Sequence, residues 1–438
     1  MRQGPADAPR LTLTLATILI TSHGTTGDVI PSLRLSRALA RLGHKITLAL
    51  SPNHCQLASN WDIASVPIGS EFGPGNVADV INKWNLDPTD MVGGITAFVE
   101  GVLKPYLAAA YHDFAPLVPE HDLIISNNMA LWAAPACERR GKPYAILHVT
   151  VLNIPSQFYL PTGVPCSPPL DNATNARAWK LARLFNQRFV VEPMRQTYEK
   201  RGLSVPKQIL LEYLSPYFNL LPLDPMWAAP APDWPKNIVQ TGFLEPESDE
   251  TSVIPDRVRS FVEGDSSRPL LIFTFGSIPP RNAQGFYERL IPVVRAHGLR
   301  SLIVEGWGMP TGFCESDVFS THFVSFNWLF KRASIVVHHG GIGTSADCLR
   351  AGVPQIVVPH GFYDQPDNGM RVERLGCGKL MSLKEFTPSM FDKVLRDLLG
   401  RLPSMRQQAE LIRDRLQLDG KEKCAEAVER FLRDSQSK

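Results

Sequence analysis

The 438-residue sequence lacks the patterns that mark several classes of protein. Its seven cysteines are scattered, odd in number and include no Cys-x-x-Cys pair, which argues against a disulfide framework and a structural zinc site. No run of about 18 apolar residues occurs, so no transmembrane helix is predicted. With a net charge of +2 and no basic run, nothing favours binding to nucleic acid.

One apolar stretch near the start, residues 11–21, has the length and the basic flank of a signal-peptide core. It contains four threonines, however, and leads directly into a glycine-containing turn and a helical pattern. These features favour a buried strand over a secretory signal. Together with the scattered cysteines, they predict a cytoplasmic protein.

The length of the chain exceeds what one compact core usually holds, so two domains of about 200 residues each are expected. A content of 44% hydrophobic and 20% charged residues is that of an ordinary globular protein. A proline-rich stretch in the middle of the chain predicts an interdomain connection. The predicted organisation is a disordered leader (1–15), a first domain (16–225), a linker (226–250), a second domain (251–418) and a last helix (419–438).

Residues 335–368 are the most informative segment of the chain. An apolar β-branched run predicts a buried parallel strand, and it ends at His338, His339 and a glycine-rich turn. Thr344 then caps or enters a helix, and a second apolar run follows Pro354. Glycines let the backbone approach a ligand, and the free N–H groups of a helix start favour phosphate. The segment therefore predicts a diphosphate site at the turn.

Polar residues follow the second strand of this unit. His360, Asp364 and Gln365 fall at the carboxyl end of that strand, where open α/β sheets usually bind their ligands. Asp and Gln side chains accept and donate paired hydrogen bonds, which suits sugar hydroxyls.

A similar unit opens the chain. Residues 17–21 predict a strand, SHGTTGD (22–28) a turn, and residues 29–42 a helix with apolar residues at helical spacing. Asp28 and His23 lie in the turn, at the carboxyl edge of the predicted sheet. On local sequence alone, an N-cap of the helix is an equal interpretation of Asp28, and a loop histidine the simpler one of His23.

Both units resemble the signatures of family 1 glycosyltransferases, which have the GT-B fold. The matching pieces are GxxGDVxP in the first half, and HHGGxGT, AGVPQ and DQ followed by Asn in the second. The resemblance covers about residues 18–399 and implies an α/β protein with two Rossmann-like domains facing across a cleft, braced by a last helix that returns to the first domain. It is greatest to bacterial enzymes that modify lipids or polyketide-type products, including macrolide glycosyltransferases and the rhamnosyltransferases of glycolipid surfactants.

The resemblance also implies roles for particular residues. Asp28 falls at the position of the catalytic base, where plant members have a histidine. Asp347 takes the place of the acidic residue that holds the ribose, and it is one methylene shorter than the usual Glu. His23 is the rival base, and Phe158 and Tyr159, in an apolar proline-rich loop, are candidate acceptor contacts. The implied donor-binding residues are Ser277, Trp328, His339, Gly341, Gly343, Thr344, Asp347, Asp364 and Gln365.

The expected function is inverting transfer of a hexose from a nucleotide-diphosphate sugar, either UDP-glucose or a dTDP- or UDP-hexose, to a hydroxyl of a lipophilic small molecule or lipid. One alternative is a dTDP-rhamnose-dependent rhamnosyltransferase of a glycolipid. Another is a non-catalytic GT-B protein that binds nucleotide or activates a partner.

No metal or other cofactor is expected, because His339 and the turn amides can stabilise the leaving diphosphate and the chain contains no Asp-x-Asp pair. The sequence leaves open a peripheral membrane contact through a lipid acceptor, and the choice between a monomer and a homodimer.

Overall fold

The computed structural model describes residues 15–73, 91–162, 171–246, 254–265, 267–277, 283–307, 311–361 and 363–436. The predicted leader lies outside the described residues except for Leu15, and residues 163–170 of the apolar loop also lie outside them. The described residues form two parallel sheets with helices packed against both, which is the arrangement of two Rossmann-like domains. Within the described ranges, no helix has the length and apolarity needed to cross a membrane.

The first sheet has, in its described part, seven parallel strands in the order β3-β2-β1-β4-β5-β6-β7. They are β1 (Thr17–Thr21), β2 (Lys45–Leu50), β3 (Ser65–Pro67), β4 (Leu123–Asn127), β5 (Tyr144–Leu147), β6 (Phe218–Leu221) and β7 (Ile238–Gln240). The accompanying helices are α1 (Thr26–Arg41), α2 (Pro52–Ser59), α3 (Met91–Phe98), α4 (Lys104–Phe114), α5 (Ala133–Glu138), α6 (Asn172–Asn186) and α7 (Glu192–Glu199). Strand β4 is buried along its whole length, as a central strand covered by helices on both faces must be.

The second sheet has, among the described residues, six parallel strands in the order β10-β9-β8-β11-β12-β13. They are β8 (Leu270–Thr274), β9 (Arg300–Val304), β10 (Val318–Thr321), β11 (Ile335–His338), β12 (Gln355–Val357) and β13 (Gly378–Leu380). Its helices are α8 (Asp256–Gly264), α9 (Ala283–Ala296), α10 (Phe326–Leu329), α11 (Ile342–Ala351), α12 (Gln365–Arg374), α13 (Pro388–Gly400) and α14 (Leu402–Arg413).

Short irregular turns extend several of these elements. Val99–Leu103 and Gln187–Val191 are π-helical and join α3 to α4 and α6 to α7, whereas Val118–Glu120, Val151–Asn153 and Phe330–Arg332 are single 3₁₀ turns.

The boundary of the first sheet differs from the prediction. The sequence predicts that the first domain ends at residue 225 and that residues 226–250, including a short strand at 238–241, form the linker. In the structure Ile238–Gln240 pairs in parallel with β6 and forms the edge strand of the first sheet. The many prolines around it do not prevent this, because a three-residue edge strand needs ladder hydrogen bonds on one side only.

The last helix, α15 (Gly420–Gln436), packs against the first domain. Cys424 and Val428 belong to the same buried cluster as Leu35 and Leu39 of α1. The start of α15 is bound to the interdomain connection, since the Glu245 carboxylate accepts hydrogen bonds from the amides of Gly420 at 2.9 Å and Lys421 at 3.1 Å. A carboxylate in this position satisfies the first amides of the helix and complements its dipole.

Both sheets reverse their strand order at one central pair, β1 with β4 in the first sheet and β8 with β11 in the second. The loops that leave such a pair run to opposite sides and leave a crevice at the carboxyl edge of the sheet. The two turns that the sequence analysis singled out follow β1 and β11, so each lies at such a crevice.

We expect Gly420→Ala to destabilise the protein, because a Cβ there would lie 2.3 Å from the Phe243 carbonyl oxygen and 2.7 Å from the Gly242 carbonyl carbon. The start of α15 would have to move away from the connection, at a cost of about 1–3 kcal/mol in the free energy of unfolding. Gly400→Ala is the matched control, since an added Cβ there meets nothing within 4 Å. Denaturant unfolding of both variants checks this, and equal stability of the two would contradict it.

Candidate active site

Asp28 lies in the turn after β1, as the third residue of α1 and not as its N-cap. Thr25 is the N-cap, and Asp28 Oδ2 accepts hydrogen bonds from the Thr25 amide at 2.7 Å and the Thr25 hydroxyl at 3.0 Å. This is a capping box, so the structural role considered for Asp28 is present in a modified form. The capping bonds use only Oδ2 of Asp28, and Oδ1 of Asp28 accepts no hydrogen bond from the described residues.

The turn around Asp28 is held tightly on both sides. Gly24 has a φ of +123°, and a Cβ there would lie 2.3 Å from Asp28 Oδ2, so a glycine is required. From β4, the Asn127 side chain accepts a hydrogen bond from the His23 amide at 3.1 Å and donates one to the His23 carbonyl at 2.7 Å. The turn that carries the carboxylate is therefore fixed from β4 by Asn127, and the carboxylate itself is fixed by Thr25.

Burial raises the pKa of Asp28 to about 6, and the hydrogen bonds from Thr25 oppose this shift. A carboxylate that ionises near this value is a better proton acceptor than an ordinary aspartate and is still largely ionised at pH 7. The side chain is only partly covered, so a ligand in the cleft can reach it.

His339 follows β11 and lies between two glycines of the second domain. A Cβ on Gly276 would come within 2.7 Å of the ring Cε1, and one on Gly341 within 2.5 Å of Nε2. Burial lowers the pKa of His339 well below its ordinary value, and the neighbouring His360 and His338 lower it further. The ring is therefore neutral near pH 7 and carries one N–H donor.

The helix after this turn starts earlier than predicted. The sequence analysis placed its beginning at Thr344, whereas α11 starts at Ile342 with Gly341 as its N-cap. Gly341 offers no side chain to the first amides, and an added Cβ on Gly343 would meet nothing within 4 Å. The first turn of α11, which includes Gly343 and Thr344, therefore leaves its first amides open to an anion next to His339.

Asp364 and Gln365 stand at the start of α12, beside this turn. Asn368 donates to Asp364 Oδ2 at 2.9 Å and to the Gly340 carbonyl at 2.8 Å, which ties the two loops together. Gln365 Oε1 accepts hydrogen bonds from the amides of His360 at 3.1 Å and Gly361 at 2.8 Å, so it shapes the loop that leads to Asp364.

The two carboxylates interact across the cleft. Burial raises the pKa of Asp364 to about 7, and the charge of Asp28 from the other domain adds to the increase. The structure thus brings Asp28 together with the second-domain cluster of His339, Gly341, Asp364 and Gln365.

Three predicted donor-binding residues have other partners in the structure. The Ser277 carbonyl accepts a hydrogen bond from the Trp307 amide at 2.7 Å. The Asp347 carboxylate is paired with Arg350 at 2.9 Å, so it is not presented alone to a ligand. The guanidinium groups of Arg332 and Arg259 lie over the Trp328 ring, 4.3 and 5.6 Å from its centroid.

His23 is buried among aromatic rings of the first domain. Its ring centroid lies 4.8 Å from that of Phe72, 4.5 Å from Tyr106 and 5.3 Å from Trp132, and Nε2 has no hydrogen-bond partner in the described part of the chain. Burial lowers the pKa of His23 to about 3, which makes it a weaker base than Asp28. Beside it lies a narrow apolar recess, with no room for a water molecule, whose lining includes Leu103, Leu107, Met129 and Leu131.

The two aromatic residues predicted to contact an acceptor are not part of this recess. Phe158 is 42% exposed. Tyr159 stacks on Trp234 with centroids 5.8 Å apart, and its hydroxyl donates to the Ala229 carbonyl at 2.5 Å. The Tyr159 ring is therefore engaged in packing against the segment between β6 and β7.

The sequence analysis missed three polar residues of the cleft, namely Asn127, Asn128 and Tyr363. Asn128 donates a hydrogen bond to the Tyr363 hydroxyl at 3.0 Å, which joins the two domains. The asparagines directly follow the apolar residues of β4, and that position at a strand end was a usable signal. Nothing in the sequence around Tyr363 indicated that its hydroxyl would bind Asn128 of the other domain.

We expect Gly341→Ala to weaken binding of UDP or dTDP by about 10-fold or more, because the added methyl group would displace the His339 ring from the anion site. Titration calorimetry on the purified protein measures this. Gly264→Ala, at the end of α8 where an added Cβ meets nothing within 4 Å, is the control and should bind like the wild type. Equal affinities of the two variants would show that the packing around His339 does not shape the site.

Comparison with known proteins agrees with this geometry. Residues 312–430 match the family model described as "Erythromycin biosynthesis protein CIII-like, C-terminal domain". Glycosyltransferase GtfE of Amycolatopsis orientalis is 27% identical over 421 residues, which cover 94% of this chain and 96% of GtfE.

Two solved structures share the fold along nearly the whole chain. The glycotransferase of kitacinnamycin has a TM-score of 0.69 at 19% identity, covering 96% of this chain and 100% of its own. Spinosyn rhamnosyltransferase SpnG, complexed with thymidine diphosphate, has a TM-score of 0.58 at 15% identity, covering 91% and 95%. The matched family model and the relatives thus make the chain similar to glycosyltransferases of natural-product biosynthesis, and the solved structures show that it has the same two-domain fold.

Proposed function

We propose that the chain is an inverting hexosyltransferase that moves a sugar from a nucleotide-diphosphate sugar to a hydroxyl of a lipophilic acceptor. The observation that carries this proposal is the pair of hydrogen bonds that Tyr363, directly before Asp364, accepts from Asn128 and Asn153 of the first domain, which places Asp364 and the open helix start of α11 on the cleft that carries Asp28. One carboxylate takes the proton of the acceptor, and the other holds hydroxyls of the donor sugar. An inverting reaction needs the base and the leaving group on opposite sides of the sugar, and the two domains supply one each.

The donor half of the site is suited to a departing diphosphate. As the bond between the anomeric carbon and the phosphate oxygen breaks, negative charge builds up on the diphosphate. The amides at the start of α11 and the N–H of neutral His339 are fixed donors for that charge, and the helix dipole adds to their effect. We propose that these groups, and not a metal ion, stabilise the leaving group.

Thymidine diphosphate in the related SpnG structure supports a nucleoside diphosphate as the bound part of the donor. It favours a dTDP-hexose over UDP-glucose in this chain. SpnG is a rhamnosyltransferase, which supports rhamnose as the sugar in the second candidate, a dTDP-rhamnose-dependent rhamnosyltransferase of a glycolipid.

The acceptor half of the site favours an apolar molecule. The side chains around His23 are mainly leucine, methionine and aromatic residues, and the unpaired Nε2 of His23 is a polar group among them. An acceptor with an apolar body and a hydroxyl group fits such a lining, because a highly polar one would lose its hydration without replacement.

The chemical step follows from these positions. The acceptor oxygen attacks the anomeric carbon, its proton passes to Asp28 Oδ1, and the carbon–oxygen bond to the diphosphate breaks with both electrons going to the diphosphate. Asp28 returns the proton to solvent when the product leaves. The capping bonds to Oδ2 keep the carboxylate in place during this transfer.

We expect Asp28→Asn to lower kcat by about 100-fold or more while leaving nucleotide affinity unchanged. An asparagine oxygen can still accept the Thr25 amide bond, so α1 keeps its cap and only the base is lost. Transfer is measured as release of free dTDP or UDP from a panel of nucleotide sugars, with and without a hydrophobic alcohol.

Asp171→Asn is the matched control for this experiment. Asp171 is a capping aspartate as well, accepting the Thr174 amide at 2.9 Å at the start of α6, and its replacement should leave transfer intact. Unchanged turnover in Asp28→Asn would remove Asp28 from the mechanism. Nucleotide binding without any transfer by the wild type would favour the non-catalytic alternative.

We expect kcat/KM to fall as the pH drops through about 6. Asp28 accepts a proton only when it is ionised, and burial has raised its pKa from the ordinary 3.8 to about 6. His23, with a pKa of about 3, stays neutral over the same range and adds no limb of its own. A pH–rate profile at constant ionic strength, with folding checked at each pH, measures this. If kcat/KM fell only near pH 4, the base would not be a carboxylate with a raised pKa.

A further inference from the structure

Tyr363 crosses from the second domain into the first. It lies in the loop after β12, directly before Asp364, and its hydroxyl accepts a hydrogen bond from Asn128 Nδ2 at 3.0 Å and a second one from Asn153 Nδ2. Its carbonyl also accepts a bond from the Thr162 hydroxyl at 3.4 Å. All three partners belong to the first domain, so this one residue binds the donor loop to three positions on the other side of the cleft.

The contact is buried on the side of the first domain. Asn128 is 3% and Asn153 is 1% exposed, so both amide groups are shielded from water while Tyr363 is in place. Burial also raises the pKa of the Tyr363 hydroxyl above its ordinary range, which keeps it protonated and uncharged. Removing the hydroxyl would leave two buried amide donors without an acceptor, which is unfavourable for the closed arrangement.

The contact connects the groups assigned to the two sides of the reaction. Asn128 follows Asn127, whose side chain clamps the backbone of His23 in the turn that carries Asp28. On the other side, Tyr363 is covalently adjacent to Asp364. A short path of hydrogen bonds therefore runs from the base-carrying turn to the loop that faces the sugar.

We infer that Tyr363 is a positioning residue, whose hydroxyl fixes the arrangement in which Asp364 faces Asp28. The inference rests on the proposed function and extends it to a residue to which the donor signature assigns no role. Tyr363 itself need not touch the nucleotide, because the anion site is built from His339 and the start of α11 within the second domain. Loss of its hydroxyl should therefore affect catalysis and not nucleotide binding.

Tyr363→Phe tests this inference. We expect kcat to fall by about 10-fold, with the dissociation constant for dTDP or UDP unchanged. Asn128→Ala should cause a loss of similar size. The double variant should be no slower than the slower single variant, because both changes remove the same bond. Losses that multiply in the double variant, or a kcat of Tyr363→Phe equal to that of the wild type, would overturn the inference.

Tyr144→Phe is the control for loss of a tyrosine hydroxyl. The Tyr144 hydroxyl bonds to Glu138 at 3.0 Å within the first domain and does not reach the cleft loop. Its replacement should leave kcat unchanged. A lower melting temperature in Tyr363→Phe without a lower kcat would mean a structural role only, and would contradict the assignment.

A second measurement separates this inference from the proposed function. If the wild type transfers sugar from none of the donors, the proposed function fails. Hydrogen–deuterium exchange then tests whether the Tyr363 hydroxyl holds the closed arrangement, independently of any activity. The amides of residues 363–365 should exchange faster in Tyr363→Phe than in the wild type and remain unchanged in Tyr144→Phe. Equal exchange in all three proteins would overturn the contact as a determinant of the closed arrangement.

Discussion

The structure depends on bringing two like-charged groups, Asp28 and Asp364, together in a poorly solvated cleft. Burial is the larger cause of the raised pKa of both carboxyl groups, and the charge of Asp28 adds to it at Asp364. Such an arrangement opposes folding and closure by itself, because water solvates a carboxylate better than the cleft does. It persists because surrounding contacts fix each carboxylate, namely Thr25 at Asp28 and Asn368 at Asp364.

On both sides of the cleft, glycines let the backbone approach a functional side chain closely, and the positions of Asp28 and His339 depend on this. Gly24 leaves room for the carboxylate that caps its own helix, and Gly276 and Gly341 leave room for the imidazole of His339. All three lie at points where the strand order of a sheet reverses, so neighbouring loops diverge and do not fill the crevice. In each domain, the same sheet topology therefore leaves an open crevice at the carboxyl edge of the sheet, where a rigid framework can hold a reacting group.

Much of this site could be predicted from the sequence, because its parts are local. The buried strand before His339 and the turn that carries Asp28 follow from apolar runs that end at glycines. The start of α11 was misplaced by two residues because Gly341 caps it without a side-chain signal. Contacts between distant segments could not be predicted, since Asn153 and Tyr363 are 210 residues apart. The pairing of Asp347 with Arg350, three residues apart on one helix, could have been predicted and was missed.

The two domains are joined by contacts of two different kinds. In the covalent connection, the Leu244 carbonyl accepts hydrogen bonds from Arg34 of the first domain at 3.0 Å and from Arg350 of the second at 2.9 Å. Two guanidinium groups on one backbone oxygen hold the connection against both domains. At the cleft, the Tyr363 contact comes from a loop, and its amide partners regain water when the loop withdraws. Polar groups that exchange a partner for water can be separated at little net cost. A closing contact of this kind lets substrates enter and products leave, whereas an apolar seal of the same area would resist each opening.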